Sequence, residues 1–240
     1  RLIGGDADPS FTAVARLSSD DFVQFAQDLE AAFTKPIDLA LALDCTASMS
    51  SELAAAQAGV SDLMDFAAAA TGGMRVAVVG YRDRGDDWKI KSSDFTGSRQ
   101  QAQSNLWQLR ADGGGDEPEL VHEALRTAYT QFNWRAGDRV QRVLVLVGDA
   151  PPHPGFGGTA ISLSRQARKA GIVTFVVSTR HEDEPDEVKH FPEIAAAGGG
   201  RVVRLASQKD LAAELAGVVV ADTWHDPMVA LFERFLLIAR

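Results

Sequence analysis

From Pro36 onward the chain alternates short, unbroken apolar runs with longer segments of helical period, and no other feature restricts its fold as strongly. The runs Ile37 to Asp44, Met74 to Tyr81, Val140 to Gly148, Val173 to Ser178 and Arg201 to Leu205 read as strands. Strands that are apolar on both faces must be covered on both faces, so this alternation predicts a mostly parallel α/β sheet flanked by helices. Helices are expected at Ser50 to Thr71, Ser98 to Arg110, Pro118 to Phe132, Thr159 to Ala170, Asp186 to Ala197 and Gln208 to Val220. Gly72-Gly73 and Gly171 follow the first and fourth, where a left-handed residue closes a helix. Trp88 to Phe95 reads as an edge element, because Lys89 and Lys91 alternate with Ile90.

At 240 residues there is room for one large α/β domain and short appendages. We assign residues 1–35 to an N-terminal extension. Its helix, from Ser18 to Thr34, places Phe22, Phe25, Leu29 and Phe33 on one stripe that packs on the domain. Residues 36–221 form the domain proper. Residues 222–240 form a C-terminal amphipathic helix carrying Trp224, Met228, Leu231, Phe232 and Phe235, although the start of a further domain would look the same.

With 33 acidic residues against 24 basic ones the net charge is -9, which disfavours nucleic acid as a partner. Apolar runs such as Val218 to Ala221 are far shorter than the ~20 residues of a spanning helix, so no membrane insertion is expected. The single cysteine, Cys45, rules out an intramolecular disulfide and leaves the compartment open.

The first strand runs straight into Asp44-Cys45-Thr46-Ala47-Ser48-Met49-Ser50, small oxygen-bearing residues before a helix. Alternation turns the Asp44 carboxylate and the Thr46 and Ser48 hydroxyls toward one point, as a hard cation requires. Helix capping would use the same residues, so taken alone both readings stand. A second carboxylate, Asp149, ends the strand Val143 to Val147 in the turn Gly148-Asp149-Ala150-Pro151-Pro152-His153. Ligands of open parallel sheets bind outside the carboxyl ends of strands. Two acids converging there would repel without a cation between them. A third piece, Gly113-Gly114-Gly115-Asp116-Glu117-Pro118-Glu119, brings backbone flexibility and further acids to a helix start.

Together with Gly80-Tyr81-Arg82-Asp83-Arg84-Gly85-Asp86, these motifs resemble bacterial von Willebrand factor type A domains over about Pro36 to Val220. The resemblance implies a doubly wound sheet and a metal-ion-dependent adhesion site. Asp44, Thr46, Ser48 and Asp149 map onto its first, second, third and last ligand positions. The remaining position, normally a threonine of the glycine-rich loop, falls to Asp116 or Glu119. The ion expected is Mg²⁺, with Mn²⁺ or Ca²⁺ as alternatives, and the partner a protein presenting an acidic side chain. No enzymatic activity is expected. Two other readings are regulation of a separate ATPase or kinase system and metal-dependent hydrolysis, for which His153 is the nearest base. Arg84-Gly85-Asp86 spells a cell-adhesion tripeptide, but it lies inside a family motif and reads as coincidence.

Overall fold

In the computed structural model the described residues are 18, 20, 23–24, 27, 35–70, 72–115, 118–179, 188–205, 211–220 and 225–239. The aromatic stripe expected in the N-terminal extension, Phe22 to Phe33, lies outside them, as does Trp224. Six strands form one sheet in the order β3-β2-β1-β4-β5-β6. They are β1 (Ile37–Asp44), β2 (Met74–Tyr81), β3 (Ile90–Thr96), β4 (Gln141–Gly148), β5 (Ile172–Ser178) and β6 (Gly199–Arg204). All neighbours run parallel except β3, which pairs antiparallel to β2 at the edge.

The seven described helices are α1 (Ser50–Ala70), α2 (Arg99–Trp107), α3 (Val121–Gln131), α4 (Gly157–Lys169), α5 (Phe191–Gly198), α6 (Leu211–Val220) and α7 (His225–Ala239). Side chains alternate across β1 and so feed two cores. Ile37, Leu39, Leu41 and Leu43 face α1, α6 and α7, where Leu63 and Phe232 are fully buried. Ala40 and Ala42 face α3, α4 and α5, against Leu125, Ala160 and Ile194. The fold is the doubly wound α/β architecture expected. Several boundaries differ: α3 starts at Val121 rather than Pro118, because Glu119 is drawn into a parallel bridge with Pro152, α2 ends at Trp107 rather than Arg110, and α5 starts at Phe191 rather than Asp186.

The ends of β1 set the two poles. At the entry side the buried Asp38 holds Arg75 Nη2 at 2.7 Å and Arg135 Nε at 2.8 Å, which clamps the starts of β1 and β2 to the loop before β4. At the exit side, register pairs Asp44 with Tyr81 and Leu43 with Val147. Asp44 and Gly148 are therefore neighbours where the strand order reverses, the place at which such sheets open a crevice.

Candidate metal centre

Asp44 is 1% exposed, and its two oxygens have different surroundings. Oδ1 accepts from the Thr46 backbone N–H at 2.9 Å and from Thr46 Oγ1 at 2.7 Å. Thr46 Oγ1 lies 3.2 Å from Ser48 Oγ, so three oxygen-bearing side chains sit in contact on one turn. Oδ2 is buried and meets no hydrogen-bond partner. Position 148 is glycine because a Cβ there would fall 2.5 Å from the Tyr81 hydroxyl, while Asp44 Oδ2 would lie at an ordinary contact distance of 3.4 Å.

The glycine-rich loop closes over this turn. Gly113 and Gly114 take positive φ values of 72° and 70°, a left-handed pair that side chains resist. Ala47 N donates to Gly113 O at 3.2 Å, and Gly114 packs so close to Thr46 that a Cβ would fall 2.8 Å from its Cβ. The loop then delivers Glu119, 3% exposed, whose N–H donates to Pro151 O at 2.9 Å and whose Oε2 is buried without a partner. Asp116 lies outside the described residues. Asp149 is half-buried and near enough for its charge to act on both Asp44 and Glu119.

The electrostatics follow from this crowding. Burial, reinforced by the charges of Asp149 and Asp86, pushes Asp44 up to about 7 against the donors from Thr46. Burial also raises Glu119, to about 9, with Asp44, Asp83, Asp86 and Asp149 adding to it. Among the described residues no group of three or more His, Cys, Asp or Glu side chains is arranged to hold a metal by itself. An ion here would therefore lean on hydroxyl and water oxygens as well as carboxylates.

Two positions, Asp86 and Arg82, shape the site without an assigned role in the sequence reading. The Asp86 carboxylate accepts from Gly114 N at 3.1 Å and from Asp83 N at 3.0 Å, so the aspartate of Arg84-Gly85-Asp86 is turned inward as a latch on the glycine loop. Arg82, 4% exposed, donates from Nε to Cys45 O at 3.0 Å and from Nη2 to Arg110 O at 2.6 Å, with its guanidinium stacked over Trp88. His153 Nε2 lies 2.6 Å from Asp83 Oδ1. Beside them His122 stacks on Phe156, with ring centroids 4.1 Å apart, and Arg84 covers the Phe156 ring. Cys45 is fully buried between Asp44 and Thr46; its thiol donates weakly to Leu43 O and is pushed up to about 12 by burial and by the Asp44 charge.

Residues 38–216 match the family profile described as von Willebrand factor type A domain. Among solved structures, a von Willebrand factor type A protein from Catenulispora acidiphila is similar at 17% identity and a TM-score of 0.53, over 83% of this chain and 43% of that one. Proximal thread matrix protein 1 from the mussel byssus is similar at 16% identity and a TM-score of 0.56, over 82% of this chain and 46% of that one. The chain thus spans less than half the length of these structures, and at such identities the likeness concerns the fold. No curated protein sequence matches significantly.

Proposed function

The chain belongs to the von Willebrand factor type A family, whose domains generally mediate protein–protein interaction, and on that premise we propose that it is a metal-dependent protein-binding module. The supporting observation is the pair of buried, unpartnered carboxylate oxygens, Asp44 Oδ2 and Glu119 Oε2, beside the Thr46 and Ser48 hydroxyls. A buried polar atom without a partner costs roughly 1–3 kcal/mol, more when charged, and an acid-rich site offering two of them suits a hard dication. The oxygen-only donor set fits Mg²⁺, with Mn²⁺ or Ca²⁺ as substitutes.

In this reading Asp44, Thr46, Ser48 and Asp149 hold the ion, and the buried, unpartnered Oε2 supports Glu119 as the residue at the glycine-loop position. When bound, the ion supplies an open coordination position to an acidic side chain of a partner. Asp44 Oδ1 keeps the turn in shape through Thr46, which leaves Oδ2 for the ion. Arg82 and Asp86 hold the two loops at their spacing. The hydrolytic alternative has less support, because His153 Nε2 is engaged by Asp83.

The test is titration with Mn²⁺ followed by electron paramagnetic resonance. Wild type should bind one ion. Asp44→Asn and Asp149→Asn should each weaken binding by about a hundredfold or more while the far-ultraviolet circular dichroism stays native. Unchanged affinity in both variants would refute the site.

A further inference from the structure

The tripeptide Arg84-Gly85-Asp86 spells an adhesion ligand, yet the fold does not hold it as one. Asp86 is turned inward onto Gly114 N and Asp83 N, whereas Arg84 is exposed. The half of the motif that reaches solvent is therefore the cation, which receives acids instead of offering one.

Five cations stand on the loops and strand ends of this pole: Arg82, Arg84, Lys89, Lys91 and Arg110. Arg82 is buried and engaged by Cys45 O and Arg110 O. Lys91 lies over the Trp88 ring that Arg82 also covers, and an ammonium has no fork to offer a carboxylate. Arg84 and Arg110 are the two exposed guanidiniums of the five, and among the described residues only Arg84 rests on a ring. Its seat is a three-layer stack. His122, 1% exposed, forms the base; Phe156 lies on it with centroids 4.1 Å apart and planes 21° from parallel; the Arg84 guanidinium carbon stands 5.1 Å above Phe156.

The loop is tied to the metal centre on both sides of Arg84. Asp86 holds Gly114, and Asp83 meets His153 Nε2 at 2.6 Å, while the His153 N–H donates to Glu119 O at 3.3 Å. Those bonds also occupy the two nearest acids, and among the described residues Arg84 forms no salt bridge with them or with the exposed Asp87. A guanidinium held on an aromatic face with its donors open loses little freedom on meeting a carboxylate.

We propose that Arg84 is a specificity-determining residue of the metal-dependent surface: the partner presents two acids on one short segment, the first to the ion and the second to the Arg84 guanidinium. The proposal rests on the metal-site reading above.

The test uses the 240-residue chain loaded with Mn²⁺ and capped glycine peptides that carry either one aspartate or two aspartates separated by one, two or three glycines. Paramagnetic broadening of the aspartate β-protons reports binding at the ion. With wild type, the best-spaced two-acid peptide should bind about fivefold tighter than the one-acid peptide. Arg84→Gln should abolish that advantage and leave both Mn²⁺ affinity and one-acid binding at wild-type values; Arg84→Lys should restore only part of it. A wild type that gains nothing from the second acid, or a gain that survives in Arg84→Gln, overturns the role of Arg84 and leaves the metal site standing. A chain that binds no Mn²⁺ overturns both.

Discussion

The two oxygens of the Asp44 carboxylate have different surroundings, a division that the sequence could not show. Capping and metal binding looked like rivals, yet Oδ1 shapes the turn through Thr46 while Oδ2 stays buried and unpartnered. The consequence is a pH dependence of definite sign. A carboxyl raised by folding contributes stability that is complete below its ordinary value and is lost as pH climbs through the raised one. For Asp44 that window runs from 3.8 to about 7, and for Glu119 from 4.5 to about 9. In chelator the midpoint of thermal unfolding should therefore fall as pH increases across this range. Mn²⁺ affinity should rise over the same interval, because the ion binds the ionised acids. An ion-free midpoint that climbs instead would contradict the placement of these two side chains.

Among the elements, the hairpin loop between β2 and β3 has the widest reach. Arg82 connects it to the turn after β1 through Cys45 O and to the exit of α2 through Arg110 O, and its own carbonyl accepts from Leu120 N at 3.3 Å. Arg82→Met should cost roughly 3 kcal/mol or more in urea unfolding, since each hydrogen bond from a charged donor contributes about 1.5–3 kcal/mol. Arg82→Lys should recover only part of it, because an ammonium cannot fork to two carbonyls. This loop also marks where sequence reading stopped. The strands were legible because burial on both faces writes continuous apolar runs, and Asp44 and Asp149 because they end two of those runs. The latch of Asp86 on Gly114 was not, since it joins residues 28 apart through a loop whose path no local pattern encodes. The start of α3 was misplaced for a similar reason: the Glu119–Pro152 bridge is tertiary, and Pro118 by itself looks like a first helical turn.

At the scale of the molecule, one sheet carries both poles, and among the described residues no helix is long and apolar enough to cross a membrane. The loops that gather at the exit pole rest directly on β1, so opening them means disturbing the strand at the centre of the fold. Cys45 is placed to report this. It is the only thiol in the chain, fully buried one residue past Asp44, and burial holds it almost wholly protonated. Alkylating reagents can reach it only during transient excursions, which makes their rate of attack a stopwatch for the loops themselves. Following adduct formation by mass spectrometry with and without Mg²⁺ should show labelling slowed several-fold by the ion, a readout that needs no partner and no engineered probe.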